Sequence, residues 1–257
     1  MDLSNKIIMI TGASGGIGAA ACRACLEYGA TVIAAGPHMY KLENLVGTLK
    51  DLGSIYPYEV DATNRSQVRE VVAQIIADHG RIDGLFNNAG SNRKNPLLDV
   101  VEEDFDFIMN LNVKGAFNVA SEVAGYMKEA GHGRIVNVSS IAGISPEHGN
   151  GIYCMSKAAV SMMTQVMSVE WSEFGISVVA LAPGKVMTSL VEQGLHRLAD
   201  SYGMTFDELK EKTIQEIPAG RIMDPSEVGF AVAFLFDERS YYMMGNSILM
   251  SGGVVTH

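Results

Sequence analysis

The chain has 257 residues, of which 47% are hydrophobic and 19% charged, and its formal net charge is −10. This composition excludes a disordered chain, and the length fits a single α/β domain of about 250 residues. The acidic balance, without any run of basic residues, argues against a nucleic-acid partner. No apolar stretch reaches the roughly 18 residues that a membrane span needs. Three cysteines do not suggest a disulfide framework, so we expect a cytoplasmic protein.

Short apolar runs alternate with amphipathic segments along the whole chain. The apolar runs predict strands at residues 7–10, 31–35, 55–60, 85–88, 135–138, 178–181 and 247–250. The amphipathic segments predict helices at residues 17–28, 40–52, 65–79, 102–110, 113–130, 152–174 and 225–235. Strands that alternate with helices are typical of a parallel sheet with helices on both faces.

Capping signals mark several of these helix ends. Asn64, with Gln67 three residues later, predicts a capping box, and Gly80 ends the same helix. Asp224, followed by Pro225 and Glu227, predicts another helix start.

No linker, repeat or low-complexity tract divides the sequence. We therefore expect one dinucleotide-binding catalytic domain over residues 1–257, with a Rossmann-like doubly wound parallel sheet of about seven strands. Residues 185–217 contain no predicted strand, and we expect them to form an insertion that covers the substrate.

A glycine-rich turn, Thr11–Gly18, joins the first strand to the first helix. Backbone N–H groups and the positive end of the helix can hold a pyrophosphate there, provided that side chains are absent where the phosphate approaches. The glycines provide this clearance, so the turn predicts a dinucleotide site.

Tyr153 and Lys157 are four residues apart on a predicted helix, and therefore share one face. A nearby ammonium favours the phenolate and would lower the pKa of Tyr153 from about 10 towards neutrality. Such a tyrosine can exchange a proton with an alcohol or a carbonyl.

Taken in order, these motifs resemble the short-chain dehydrogenase/reductase family over nearly the whole chain. The glycine motif of that family matches Thr11, Gly12, Gly16 and Gly18, and its Asn-Asn-Ala-Gly motif matches residues 87–90. The family's catalytic residues match Asn112, Ser140, Tyr153 and Lys157. Ser140 is selected over Ser139 because the family's serine lies thirteen residues before the tyrosine.

The resemblance implies an oxidoreductase that moves a hydride between a nicotinamide and a secondary alcohol or ketone. Tyr153 would act as general acid/base, and Ser140 would hydrogen-bond the substrate oxygen. Lys157 would lower the pKa of Tyr153 and bind the nicotinamide ribose, and Asn112 would hold a water that passes protons to Lys157.

The resemblance also implies the residues that bind NAD(P)(H). Asp61 would hold the adenine amino group, and the segment from Pro183 to Thr188 would hold the nicotinamide carboxamide. No metal ligands are expected. The full expected cofactor site is Gly12, Ser14, Gly15, Gly16, Ile17, Gly18, Gly36, Pro37, His38, Asp61, Ala62, Asn88, Ala89, Gly90, Tyr153, Lys157, Pro183, Gly184, Val186 and Thr188.

The choice between NAD and NADP depends on the end of the second strand. Family members that use NAD usually have an Asp where Gly36 stands, and those that use NADP usually have a basic residue where Pro37 or Gly15 stands. Both markers are missing. The absent carboxylate removes repulsion against a 2′-phosphate, and His38 or Lys41 can reach one, so the balance favours NADP(H) slightly.

The substrate is a small molecule, and a bulky apolar alcohol such as a hydroxysteroid or bile acid is our first expectation. The insertion supplies apolar side chains for such a pocket, among them Met187, Leu190 and Tyr202. The alternatives are a 3-oxoacyl-(carrier protein) reductase and a polyol dehydrogenase. A carrier-protein reductase of the family has arginines where this chain has Gly131 and Phe174, and the net charge would repel an acidic carrier.

Three further expectations complete this interpretation. A non-catalytic NAD(P)-sensing regulator would be expected to lack Tyr153 or Lys157, and an epimerase or dehydratase of related fold would need a larger C-terminal part.

The pair Cys22 and Cys25 lies within a predicted helix and predicts packing against the sheet rather than zinc binding. By similarity to the family, we expect a homotetramer formed through the helices at 113–130 and 152–174.

Overall fold

The structure, a computed structural model, describes residues 1–256. Its sheet is parallel and has the strand order β3-β2-β1-β4-β5-β6-β7. The strands are β1 (Ile7–Thr11), β2 (Thr31–Gly36), β3 (Ile55–Glu59), β4 (Gly84–Asn87), β5 (Gly133–Val138), β6 (Ile176–Pro183) and β7 (Ser247–Met250). This confirms the Rossmann-like doubly wound α/β fold.

The α-helices lie on both faces of the sheet. They are α1 (Gly16–Glu27), α2 (Met39–Leu49), α3 (Arg65–His79), α4 (Glu102–Met109), α5 (Ala116–Ala130), α6 (Gly151–Trp171), α7 (Ser189–Tyr202), α8 (Phe206–Gln215) and α9 (Pro225–Phe236). The predicted insertion 185–217 contains α7 and α8, and Val186 at its beginning forms an isolated bridge with Met223.

Alternate residues of β1 face two separate cores. Ile8 and Ile10 pack with apolar residues of α1 and α9, including Cys22 and Cys25, whereas Met9 packs with residues of α3 and α5. Successive side chains of a strand point to opposite faces, so a strand that is covered on both sides must be apolar throughout. This explains the continuous apolar runs of the sequence, and it places both cysteines in the core as expected.

The predicted helix starts are confirmed at α9 and only in part at α3. Asp224 and Glu227 form the reciprocal capping box of α9, with Pro225 in its first turn. The Asn64 side chain accepts a hydrogen bond from the Gln67 N–H at 3.2 Å. The capping box also predicts a bond from the Asn64 N–H to the Gln67 side chain. That prediction is wrong, because the Gln67 side chain instead accepts from the backbone N–H of Asp61 at 3.0 Å.

The helix predicted at 113–130 starts later than expected. Asn110–Gly115 form a π-helical segment, and α5 begins only at Ala116. Wider π-type turns occur mostly as short segments inside α-helices, frequently at functional sites. Here the segment contains Asn112.

The sheet order reverses next to β1, which has β2 on one side and β4 on the other. In open parallel sheets, ligands bind outside the carboxyl ends of the strands at such a reversal. The fold therefore places the binding cleft after β1 and β4. Within residues 1–256, the structure has no helix that is both long enough and apolar enough to cross a membrane.

The crossing of α1 and α9 gives a test of the packing. A Cβ on Gly229 would lie 2.5 Å from the Ala20 carbonyl oxygen, whereas a Cβ on Gly47 would meet nothing within 4 Å. We expect Gly229→Ala to lower the free energy of unfolding by about 1–3 kcal/mol through overpacking. Gly47→Ala should raise it by about 0.5–1 kcal/mol, because alanine is the better helix former. Urea denaturation measures both values, and equal effects of the two substitutions would contradict the packing.

Candidate active site

The glycine-rich turn leaves no room for side chains at the start of α1. Gly12 has φ +61, and a Cβ on Gly18 would meet the Gly12 carbonyl oxygen. A Cβ on Gly16 would lie 2.6 Å from the Thr188 methyl group. The turn therefore fits a pyrophosphate held by backbone N–H groups, with Ser14, Gly15 and Ile17 in the same segment.

The turn is fixed to the loop after β4 by Thr11. Its hydroxyl oxygen accepts hydrogen bonds from the N–H groups of Asn88 at 2.9 Å and Ala89 at 3.0 Å. The Asn88 side chain donates in return to the carbonyl oxygens of Thr11 at 3.0 Å and Gly12 at 3.2 Å. Thr11, which was expected only as part of the glycine motif, therefore joins the two loops that border the cleft.

Asn112 joins the loop after β4 to α6. Its Oδ1 accepts from the Ser91 N–H at 2.9 Å, and its Nδ2 donates to the Ser91 carbonyl at 2.9 Å and to the Ser156 hydroxyl at 3.0 Å. Both Nδ2 hydrogens are thus used in holding the two segments together, and the water-holding role expected for Asn112 stays a prediction. Ser156, which the motif comparison missed, also donates to the Tyr153 carbonyl at 2.8 Å.

The two serines after β5 have different surroundings. Ser139 is buried against α6, where its hydroxyl donates to the Lys157 carbonyl at 3.0 Å and lies 2.7 Å from the Ser161 hydroxyl. Ser140 hydrogen-bonds the Pro183 carbonyl at 3.4 Å and lies beside the Tyr153 phenol. Ser140 is therefore the serine that borders the cleft.

Lys157 and Tyr153 lie together on α6, with the ammonium 5.6 Å from the centre of the phenol ring. Lys157 is buried, and its ammonium donates to the Val138 carbonyl at 2.8 Å. Burial lowers the pKa of Lys157 to about 8. It therefore retains its proton at neutral pH.

The expected lowering of the Tyr153 pKa is wrong for this structure. Burial raises the pKa of Tyr153 to about 12, and the neighbouring Ser140 hydroxyl opposes this rise only in part. Desolvation disfavours the charged phenolate, and Lys157 directs its ammonium to the Val138 carbonyl. Tyr153 is a neutral phenol that can donate a proton.

The segment after β3 is held in place by neighbouring side chains. Asp61 Oδ1 accepts from the N–H of Thr63 at 2.9 Å and from its hydroxyl at 2.7 Å, and the Ala62 carbonyl accepts from Asn118 at 3.0 Å. Together with the Gln67 bond, these contacts fix the Asp61 backbone.

The end of β2 brings in a carboxylate that the motif comparison missed. Gly36 is the last residue of β2, and Pro37 and His38 form an exposed turn before α2. Glu59, at the end of β3, accepts a hydrogen bond from the Met39 N–H at 3.0 Å. Only strand pairing brings Glu59 to this turn, so no local pattern signals it.

All the expected cofactor and catalytic residues come together at one edge of the sheet. Asn112, Tyr153 and Lys157 lie within helical segments, and Gly16, Ile17 and Gly18 lie in the first turn of α1. The remaining residues lie at or just after the carboxyl ends of six strands, β1 to β6. Gly90 lies between two of the helical residues, because a Cβ there would be 3.1 Å from Asn112 Oδ1 and 3.6 Å from Lys157 Nζ. Within residues 1–256, no group of three or more His, Cys, Asp or Glu side chains is placed to hold a metal.

Comparison with known sequences matches residues 6–197 to the family model for short chain dehydrogenase. The chain is 38% identical over 256 residues to the 3-oxoacyl-(acyl-carrier-protein) reductase FabG of Thermotoga maritima, covering 99% of this chain and 100% of that protein. It is 34% identical over 255 residues to FabG of Rickettsia felis, covering 99% of both chains.

Solved structures match the fold over 98–100% of this chain. A structure of NAD+-bound xylitol dehydrogenase has a TM-score of 0.93 at 28% identity, covering 98% of this chain and 100% of that chain. L-sorbose reductase from Gluconobacter frateurii, complexed with NADPH and L-sorbose, has a TM-score of 0.94 at 25% identity, covering 100% and 98%.

The doubly wound sheet and the cleft at its carboxyl edge define a dinucleotide-binding oxidoreductase. The chain belongs to the short-chain dehydrogenase/reductase family, and it is an NAD(P)-dependent enzyme that acts on CH–OH groups.

The Tyr153 hydroxyl can be tested separately from cofactor binding. We expect Tyr153→Phe to reduce turnover by at least about a thousandfold while NAD(P)H binds nearly as before, because the substitution removes only the hydroxyl. Absorbance at 340 nm measures turnover, and fluorescence of the bound dinucleotide measures binding. Undiminished turnover would refute the role of Tyr153.

The buried Lys157 ammonium should also show in the pH dependence of stability. Between pH 8 and 10.5, the unfolded chain keeps the Lys157 proton that the folded chain has released. The contribution of Lys157 to the free energy of unfolding should therefore rise with pH in this window, by up to about 1.4 kcal/mol per unit. Urea denaturation measures the free energy of unfolding at each pH. Above pH 8, this free energy should rise with pH for the wild type relative to Lys157→Met. Parallel curves would contradict the depressed pKa.

Proposed function

We propose that the protein reduces the ketone of a 3-oxoacyl thioester to a 3-hydroxyacyl thioester with NAD(P)H. The observation that carries this proposal is the full-length similarity to 3-oxoacyl reductases, at 38% identity over 256 residues. The neutral Tyr153 phenol supports the reductive direction, because carbonyl reduction needs a proton donor.

The chain's own residues would divide the work of reduction. The bound nicotinamide supplies the hydride. Ser140 and Tyr153 direct their hydroxyls at the substrate oxygen, which stabilises the negative charge that develops there. Tyr153 then transfers its proton to that oxygen. Lys157, fixed by the Val138 carbonyl, holds a positive charge beside the phenol and favours this transfer.

Charge favours a thioester on a small carrier over one on an acidic carrier protein. The net charge of −10 opposes an acidic partner. Gly131 ends α5 in a left-handed conformation, and the Phe174 ring contacts the Lys128 ammonium, with 3.8 Å between ring centre and nitrogen. Neither position supplies the arginine that the family's carrier-protein reductases have.

A polyol or sugar ketone is the second candidate substrate. The structural similarity to xylitol dehydrogenase and L-sorbose reductase favours it. Asn150, three residues before Tyr153, is buried, and its Oδ1 has no hydrogen-bond donor among residues 1–256. Because this oxygen is buried, it suits an ordered water.

The first expectation, a bulky apolar alcohol, receives less support from the relatives than the 3-oxoacyl alternative. Leu190 and Tyr202, which were expected to line an apolar pocket, are 64% and 65% exposed on α7. The alternative of a non-catalytic NAD(P)-sensing regulator is tested by the substrate panel described below, although Tyr153 and Lys157 are both present in the cleft.

The homotetramer and the cytoplasmic location stay predictions. An apolar stripe on α6 supports association, since Met155, Met162, Val166 and Val169 lie on one face and are 44%, 58%, 46% and 78% exposed.

A substrate panel tests the proposal. We expect acetoacetyl-coenzyme A to be reduced with a kcat/KM at least about tenfold above those for L-sorbose and a 3-ketosteroid, which corresponds to 1.4 kcal/mol. The same acyl group on an acidic carrier protein should react more slowly at low salt. A higher kcat/KM for the sugar or the steroid would overturn the thioester assignment, and binding of NAD(P)H without turnover of any substrate would favour the regulator.

A further inference from the structure

A carboxylate from the third strand lies at the beginning of α2. Glu59 is the last residue of β3, and its Cα pairs in the sheet with that of Gly36, the last residue of β2. Its Oε1 accepts a hydrogen bond at 3.0 Å from the N–H of Met39, the first residue of α2. The side chain therefore reaches from β3 to the turn that follows β2.

This turn is where a dinucleotide of this fold places the adenosine ribose. In doubly wound folds, an acidic residue about 20 residues after the glycine-rich turn hydrogen-bonds the ribose 2′-OH. At that distance from Gly16, this chain has Gly36, which offers no side chain. The Glu59 carboxylate comes to the same strand end from the neighbouring strand.

The carboxylate also takes a helix N-terminal donor of the kind that binds phosphates. The positive N-terminal end of a helix and its free N–H groups attract anions. No acidic residue lies in the first turn of α2 itself, and Glu59 takes the Met39 N–H. A 2′-phosphate at this turn would lose that donor and meet a negative charge.

Glu59 is free to interact with a bound ligand. The residue is exposed, and within residues 1–256 its Oε2 makes no hydrogen bond. The basic residues near this turn, His38 and Lys41, form no ion pair with it in the described chain, and both lie against the Tyr40 ring. The charge of Glu59 is therefore uncompensated, and Asp61 adds a second carboxylate two residues later.

We propose that Glu59 makes this enzyme selective for NAD(H), by accepting hydrogen bonds from the ribose hydroxyls and repelling a 2′-phosphate. The inference rests on the proposed function only in that a dinucleotide must bind. It reverses the slight preference for NADP(H) expected from the absent carboxylate at Gly36 and from His38 and Lys41, because Glu59 supplies a carboxylate from the neighbouring strand.

Direct binding tests this without turnover. Titration of the wild type with NADH and with NADPH, followed by dinucleotide fluorescence, should give a Kd for NADH at least about tenfold lower. Glu59→Gln keeps an oxygen that can accept from Met39 but removes the charge. This variant should bind NADPH about tenfold more tightly than the wild type does, and NADH less tightly, because the amide nitrogen that replaces Oε2 cannot accept a hydrogen bond from a ribose hydroxyl. The control, Glu70→Gln, makes the same charge change at an exposed position on α3 and should leave the ratio unchanged.

The salt dependence of binding gives an independent test. Raised ionic strength should narrow the gap between the two dinucleotides in the wild type but not in Glu59→Gln, because exposed charges are screened. Equal or tighter binding of NADPH by the wild type, or an unchanged ratio in Glu59→Gln, would overturn the role of Glu59 and leave the reductase proposal standing. Failure of both dinucleotides to bind would overturn both.

Discussion

The hydrogen bond from the Lys157 ammonium to the Val138 carbonyl, at 2.8 Å, is the contact on which the site depends. It fixes α6 to the carboxyl end of β5, and so positions Tyr153 one helical turn away. A buried cation needs a polar partner, and this carbonyl provides one where the strand ends. Asn112 and Ser156 hold the same helix to the loop after β4. Because Thr11 joins that loop to the glycine-rich turn, the catalytic helix and the dinucleotide turn form one connected unit.

The burial of this connected unit also determines the protonation state of Tyr153. The ammonium on its own would favour a phenolate, and a sequence reading that considers only the Lys157–Tyr153 spacing predicts a lowered pKa. In the folded chain, burial raises the pKa of Tyr153 to about 12, and the opposing contact comes from the Ser140 hydroxyl rather than from the ammonium. The same burial lowers the pKa of Lys157 to about 8. The result is a neutral acid beside a cation, an arrangement suited to protonating a carbonyl oxygen.

Local patterns were sufficient to predict most of the fold, whereas the resemblance to the family selected the candidate site residues. The apolar runs identified the strands, Asp224 and Glu227 marked the start of α9, and the motifs placed Ser140, Tyr153 and Lys157 near one strand edge. The missed features all depend on residues that are distant in sequence or on burial. Gln67 binds Asp61 in place of Asn64, and Glu59 reaches Met39 because β3 pairs with β2. The π-helical turn around Asn112 likewise has no simple periodicity to signal it.

The proton inventory of the site depends on Tyr153 being a neutral proton donor. Its phenolate can be observed directly through the ultraviolet absorbance of ionised tyrosine, as the difference between the wild type and Tyr153→Phe during a pH titration. We expect no phenolate absorbance in this difference below about pH 11, since a group is largely protonated one unit below its pKa. A phenolate that appears between about pH 7 and 8, where only a strongly lowered pKa would place it, would contradict the account.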